Sequence, residues 1–184
     1  MDQTLREADA KMEKAVEHTR EEFAAIRTGR AHPAMFAKIT AEYYGTPTPL
    51  QQLAGFQVPE PRTVIIQPYD QGAKAAIEKA IRESDLGVNP SDDGNVLRVT
   101  LPELTEERRK EYIKLAKSKA EEGRVAVRGV RRNAKQSMDK AEKDSEISKD
   151  DVTGGEKRLD GMTKKFVDVI DDLLKNKEAE LLEV

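Results

Sequence analysis

The chain has 184 residues, no cysteine, 36% charged and only 4% aromatic residues, and a formal net charge of −3. The missing thiols exclude a disulfide framework, a cysteine nucleophile and any thiolate metal site, and the scarcity of bulky side chains excludes a large globular core. Such compositions belong to long solvated helices or to disordered chains, so hydrophobic periodicity has to choose between them.

The N-terminus, MDQTLREADAKMEK, is charged from its second residue and has no apolar signal region. Nowhere does an apolar run reach bilayer length, which points to a soluble cytoplasmic protein with no membrane partner. From Asp2 to about Arg27, Leu5, Ala8, Met12, Ala15, Thr19, Glu22 and Ile26 recur at alternating steps of three and four, with Val16 and Phe23 widening the stripe. That spacing predicts an amphipathic helix with Asp2 as its N-cap, stopped by Gly29 and Pro33.

The texture then changes. Proline-rich turns separate short β-branched or alternating runs, AKITAEYYG, GFQV, RTVIIQP and NVLRVTL, which read as strands. One helical piece interrupts them: Asp70 caps QGAKAAIEKAIRES, with Ala73, Ile77, Ala80 and Ile81 on one face. NPSDDGN reads as a hairpin turn. The segment 31–104 is therefore expected to be a small mixed domain, a compact sheet on one helix.

Helical texture returns at LTEERRKEYIKLAK, where Thr105 is placed to cap and Glu106 and Glu107 complement the macrodipole. Its seam runs Ile113, Ala116, Ala120, Gly123, Val127, Val130, Ala134, Ser137, Ala141, a heptad pattern of small residues that predicts close helix approach. Ser148 and Asp151 then have capping-box spacing for a last helix, which buries Leu159, Met162, Phe166, Ile170, Leu173 and Leu181 and is weakened early by Gly154, Gly155 and Gly161. The expected organisation is a three-helix bundle from residues 1–30 and 105–184 carrying the insert 31–104. The insert leaves and re-enters the bundle at nearby points, so Gly29, Arg30 and Ala31 with Pro102, Glu103 and Leu104 would form a paired hinge.

One stretch, GRVAVRGVRRNAK, carries Arg124, Arg128, Arg131, Arg132 and Lys135 without an acid. Arg124, Arg128, Arg131 and Lys135 fall along one flank of the seam. Two readings are open: a solvated flank salt-bridged to acids on neighbouring helices, or a surface for an RNA backbone. Arginine outnumbers lysine there, which suits planar contacts to phosphates and bases. A second basic group, IRTGRAH, holds Arg27, Arg30 and His32; the helix dipole accounts for Arg27 alone. In EYYGTPTPL, one tyrosine is expected in the core and the other over a sheet edge, with Pro47 and Pro49 blocking further pairing.

Enzyme signatures are missing. His18 and His32 have no metal-binding spacing, VTGGEK lacks that of a phosphate loop, and no nucleophile and base pair stands out. A helical protein-binding adaptor or cochaperone with no RNA target is a second class that the small-residue seam suits.

Several blocks in order, IRTGRAHPAMF, YYGTPTPLQQLA, LTEERRKEYIKLAK, RVAVRGVRRNAK and the ending KEAEL, resemble the bacterial ribosome recycling factor family across nearly the whole chain. The resemblance implies an α+β fold, an elongated antiparallel three-helix bundle with a small β/α/β domain inserted after the first helix. It implies a non-enzymatic monomer without cofactor, a translation factor that releases and recycles ribosomes from messenger RNA after termination. It would split the post-termination complex together with elongation factor G, which uses the GTP. The bundle would lie on large-subunit ribosomal RNA and the inserted domain would face elongation factor G. The family's functional arginines match Arg128 and Arg131, with Arg132 beside them, and its RTGR motif places Arg27 and Arg30 at the domain junction. Two departures stand out: Gly129, mid-helix between those arginines, and a divergent inter-helix turn, KDSEISKDDVTGGEK.

Overall fold

The computed structural model describes residues 1–183. In chain order its elements are α1 (Asp2–Ala24), β1 (Thr40–Tyr43), β2 (Thr46–Pro49), the single turn α2 (Leu50–Leu53), β3 (Ala54–Glu60), β4 (Thr63–Pro68), α3 (Lys74–Arg82), β5 (Ser91–Asp93), β6 (Val96–Thr100), α4 (Glu106–Lys143) and α5 (Lys149–Leu182). Two compact units result. Met1–Thr28 and the chain from Glu106 onward form the first, and Gly29–Thr105 forms the second.

In the first unit, α1 buries Leu5, Ala8, Met12, Val16, Thr19 and Phe23 on one face. The helix starts at Asp2 behind Met1, with no side-chain cap, so Asp2 is a first-turn acid rather than the expected N-cap. It ends at Ala24, ahead of Arg27 and Gly29, where the Ile26 N–H closes a tighter turn on the Phe23 carbonyl (3.0 Å). The 38 residues of α4 extend about 57 Å at 1.5 Å per residue. A short turn reverses the chain into α5, whose start is fixed by a capping box: the Asp151 N–H donates to the Ser148 hydroxyl and the Ser148 N–H to the Asp151 carboxylate, both 3.0 Å. Pairs such as Lys119–Glu22 and Arg158–Asp2 set α1 antiparallel to α4 and parallel to α5.

The α4 seam is buried at Ala116, Ala120, Gly123, Val127 and Ala134, and then departs from the heptad expectation. Met138 is buried where Ser137 was expected, and Ser137 is exposed with its hydroxyl donating to the Asn133 carbonyl. An α-helix drifts about 20° per heptad against a strict seven-residue repeat, which moves the contact line by one position over this length. Small residues matter because the backbones meet. A Cβ at Gly123 would lie 2.3 Å from Thr19 Oγ1 and 3.1 Å from Ile170 Cδ1, and one at Gly155 would lie 2.6 Å from Met138 Sδ. Gly155, which the sequence marks as a weak point, is thus a packing position.

The second unit is an antiparallel sheet of order β3-β4-β6-β5 beside the separate hairpin β1-β2. Its core gathers Val64 and Ile66 of β4, Leu97 and Val99 of β6, and Ile77 and Ile81 of α3, all fully buried. The alternation in β6, with Leu97 and Val99 inside and Arg98 and Thr100 outside, is the period-two signal that made this strand legible. Asp70 accepts from the Gly72 N–H and opens the turn into α3. The expected hinge residues belong to this unit: Ala31 N–H donates to the Pro61 carbonyl and Leu101 N–H to the Arg62 carbonyl, both 2.7 Å, while Glu103 pairs with Arg62 at 3.2 Å. Gly29 packs on Leu104. The division between the units falls outside both strands, at Thr28/Gly29 and Thr105/Glu106.

Candidate nucleic-acid interface

The basic stretch sits mid-way along α4, where the seam fixes its orientation. With about 100° per residue, Arg131, Arg124 and Lys135 project about 40°, 60° and 80° from the fully buried Val127, and Arg128 and Arg132 about 100° and 140°. The first three therefore lean toward the neighbouring helix and the last two toward solvent.

The side-chain contacts follow those angles. Arg124, only 19% exposed, donates from Nε to Asp171 Oδ1 at 2.7 Å and from Nη1 to Glu121 Oε2 at 2.9 Å. Burial pulls its pKa down, and the hydrogen bonds to Asp171 and Glu121 outweigh this and hold it above the ordinary value. Arg131 engages Asp160 Oδ1 through both Nε and Nη2, each at 2.7 Å. Lys135 lies 2.9 Å from Glu156 and 3.1 Å from Asp139, and these two carboxylates, Glu156 first, raise its pKa.

Arg128 differs. It is 54% exposed and its nearest carboxylate, Glu121 at 3.9 Å, is already bonded to Arg124. Arg132 is exposed. Val125, 54% exposed, lies beyond Arg132 on the outer face, about 160° from Val127. The four-cation stripe expected from spacing thus divides into three cations held by α5 acids and one, Arg128, directed outward, with Arg132 beside it.

The sequence reading missed Asp160, Glu156 and Asp171, the acids that make this division. A signal was present: Glu156 and Asp160 are four apart, as are Arg131 and Lys135, and the turn between α4 and α5 brings the two pairs face to face.

Gly129 lies within continuous helix, and a Cβ there would meet only Arg132 Nη2, at an ordinary 3.9 Å. Packing does not require it. Arg27 and Arg30 are both exposed, the first in the bundle unit and the second in the inserted unit. The histidines have local roles: His32 Nδ1 accepts from the Ala34 N–H, and His18 lies 3.5 Å from Glu22. Among the described residues no helix is long and apolar enough to cross a membrane, and no three or more His, Cys, Asp or Glu side chains form a metal-binding group.

In the inserted unit, Tyr43 is half-buried and its hydroxyl donates to Asp70 Oδ2 at 2.9 Å. That bond is the main cause pushing its pKa up to about 12. Tyr44 is 87% exposed, its ring edge-on to Tyr43.

Residues 19–182 match the family described as ribosome recycling factor. A ribosome-recycling factor of Nocardioides sp. is 68% identical over 180 residues, covering 98% of this chain and 97% of its own length. One from Cutibacterium acnes is 65% identical, with 100% of both chains covered. Among solved structures, a solution structure of the ribosome recycling factor superposes with a TM-score of 0.78 at 45% identity over 100% of this chain and 97% of its own. The Thermus thermophilus factor, described together with Escherichia coli elongation factor G bound to the post-termination complex, gives 0.65 at 42% identity over 99% and 98% of the two chains.

Proposed function

The chain belongs to the ribosome recycling factor family, and from that premise we propose that it grips large-subunit ribosomal RNA through the outward face of α4. It is a translation factor that recycles ribosomes after termination with elongation factor G. It contributes no catalytic step of its own, and the GTP is hydrolysed by its partner.

The observation that carries the site is the division of the basic stretch. Arg128 and Arg132 face solvent, so they can meet phosphate oxygens without first losing a close protein partner. Arg131, Arg124 and Lys135 are already engaged at 2.7–2.9 Å and serve to fix α4 against α5. Of these, Arg131, 35% exposed, has a single carboxylate partner, where Arg124 and Lys135 each have two. Contacts of this type set position and affinity and do not read sequence. Arg27 and Arg30, both exposed, are the further contacts assigned to RNA. A rigid bundle held on RNA, with elongation factor G acting on the inserted unit through the two chain crossings, would convert that push into separation of the subunits.

The test is subunit binding and splitting, followed by light scattering with elongation factor G and GTP. Charge reversal at Arg128 or Arg132 should weaken large-subunit binding and reduce its salt slope by about one per lost phosphate contact. Asp160→Asn, which releases Arg131, should leave binding equal or tighter. Unchanged affinity and slope in both reversals would sink the assignment.

A further inference from the structure

The methionines differ sharply in burial. Met12 and Met138 are 0% and 1% exposed, Met35 and Met162 are partly buried, and Met1 is 37% exposed. Met1 and Met138 meet at one place. Their sulfurs stand 3.3 Å and 2.6 Å from the point where a Cβ of Gly155 would lie, and Met138 Cε is 3.3 Å from it. The two thioethers fill the space that a side chain at residue 155 would take. Met138 belongs with Leu5, Ala8, Ala134, Val152 and Leu159 to the apolar core of this end of the bundle.

Polar contacts do little to hold Met1 in place. The helix α1 starts without a side-chain cap, and the Asp2–Arg158 pair, at 3.4 Å with side chains 71% and 61% exposed, contributes little. The Met1 carbonyl accepts the Leu5 N–H at 3.1 Å, so the backbone of Met1 is tied to a buried core residue while its side chain lies against Met138.

We propose that Met1 is an oxidisable latch on this end of the bundle, a modification site for hydrogen peroxide whose conversion to the sulfoxide uncovers Met138. The thioether lone pair attacks one peroxide oxygen, the S–O bond forms as the O–O bond breaks, and the departing hydroxide takes the proton and leaves as water. The methionine loses two electrons and the peroxide gains them. A sulfoxide is polar and needs a hydrogen-bond donor, which this surface does not supply. The Met138 thioether has no donor, and the Gly155 N–H is committed to the ladder of α5. The oxidised side chain therefore turns to water and leaves Met138 open. An oxygen added there has no room against Gly155, so the second oxidation breaks the core. Leucine at position 1 keeps an apolar cover that peroxide cannot convert.

The experiment follows the full chain in dilute hydrogen peroxide, reading each methionine by peptide mass spectrometry and the fold by thermal unfolding. It compares the unmodified protein with Met138→Leu and with Met1→Leu, the latter made by cleaving a fusion ahead of residue 1. In the unmodified protein Met1 should oxidise first and Met138 follow after a lag, because a buried sulfur reacts only through an opened state. In Met1→Leu the oxidation of Met138 should slow at least about tenfold, since the opening that exposes it is no longer triggered. The unfolding temperature should fall in the unmodified protein as Met138 reacts and hold in both variants, and methionine sulfoxide reductases should restore it. Equal rates of Met138 oxidation in the unmodified protein and Met1→Leu would overturn the proposal. So would oxidation of Met35 or Met162 ahead of Met1, or a fall in unfolding temperature that persists in Met138→Leu.

Discussion

Replacing glycine by alanine at two positions of α4 six residues apart should move stability in opposite directions. In both Gly123→Ala and Gly129→Ala the helix gains about 1 kcal/mol of propensity, so this contribution cancels in the comparison. At Gly129 the new methyl meets nothing closer than Arg132 Nη2 at 3.9 Å, and the whole gain is expected. At Gly123 it would stand 2.3 Å from Thr19 Oγ1 and 3.1 Å from Ile170 Cδ1. Thr19 yields poorly, because it is buried, β-branched and bonded through its hydroxyl to the Ala15 carbonyl at 2.9 Å. Overpacking of this kind costs about 1–3 kcal/mol. Gly123→Ala should therefore lie between unchanged and about 2 kcal/mol less stable than the original, and the gap between the two variants should be about 1–3 kcal/mol. Urea unfolding followed by far-ultraviolet circular dichroism reads this, since the helices dominate that signal. Adding Thr19→Ala to Gly123→Ala should recover stability beyond the sum of the single changes. Equal stabilities for the two glycine variants, or no recovery in the double variant, would refute the close-approach argument.

Ser148→Ala removes the side-chain half of the capping box and should cost about 1 kcal/mol in the same unfolding assay, with the loss expressed as fraying at the start of α5. The Asp151 carboxyl is held below its ordinary pKa by the Ser148 N–H first and its hydroxyl second. Its stabilising contribution is therefore present above the unfolded carboxylate pKa and is lost as pH falls through the depressed folded value, an acid-limb effect that should shrink in Ser148→Ala. At the other extreme, Tyr43 is raised from 10.0 to about 12, so its bond to Asp70 contributes fully below pH 10.0 and disappears as pH rises through about 12. In an ultraviolet-absorbance titration, Asp70→Ala should bring one late phenol ionisation down toward the ordinary range, and identical titrations of the two proteins would exclude the bond.

The sequence by itself determined the long helices, α3, the strands β1, β3, β4 and β6 and the division into a bundle and an insert, because these depend on local periodicity and local capping, whereas β2 lay outside its strand runs and β5 in a stretch it read as a turn. Ser148 with Asp151, Asp70 ahead of α3, and the alternation in β6 all act within a few residues of the chain. It also supplied every residue of the basic stretch. What it did not supply was which of those cations are engaged. Arg124 meets Asp171 from 47 residues away and Arg131 meets Asp160 from 29 away, so the pairing exists only once α5 lies beside α4. Periodicity gives a side chain its direction around the helix axis but not the charge standing opposite it. The same limit placed Ser137 on the seam where Met138 sits, and marked Gly155 as a weakness where tertiary packing uses it for close approach. Charge pairing and backbone proximity are set by distances between helices, and those distances come into being only when the bundle closes.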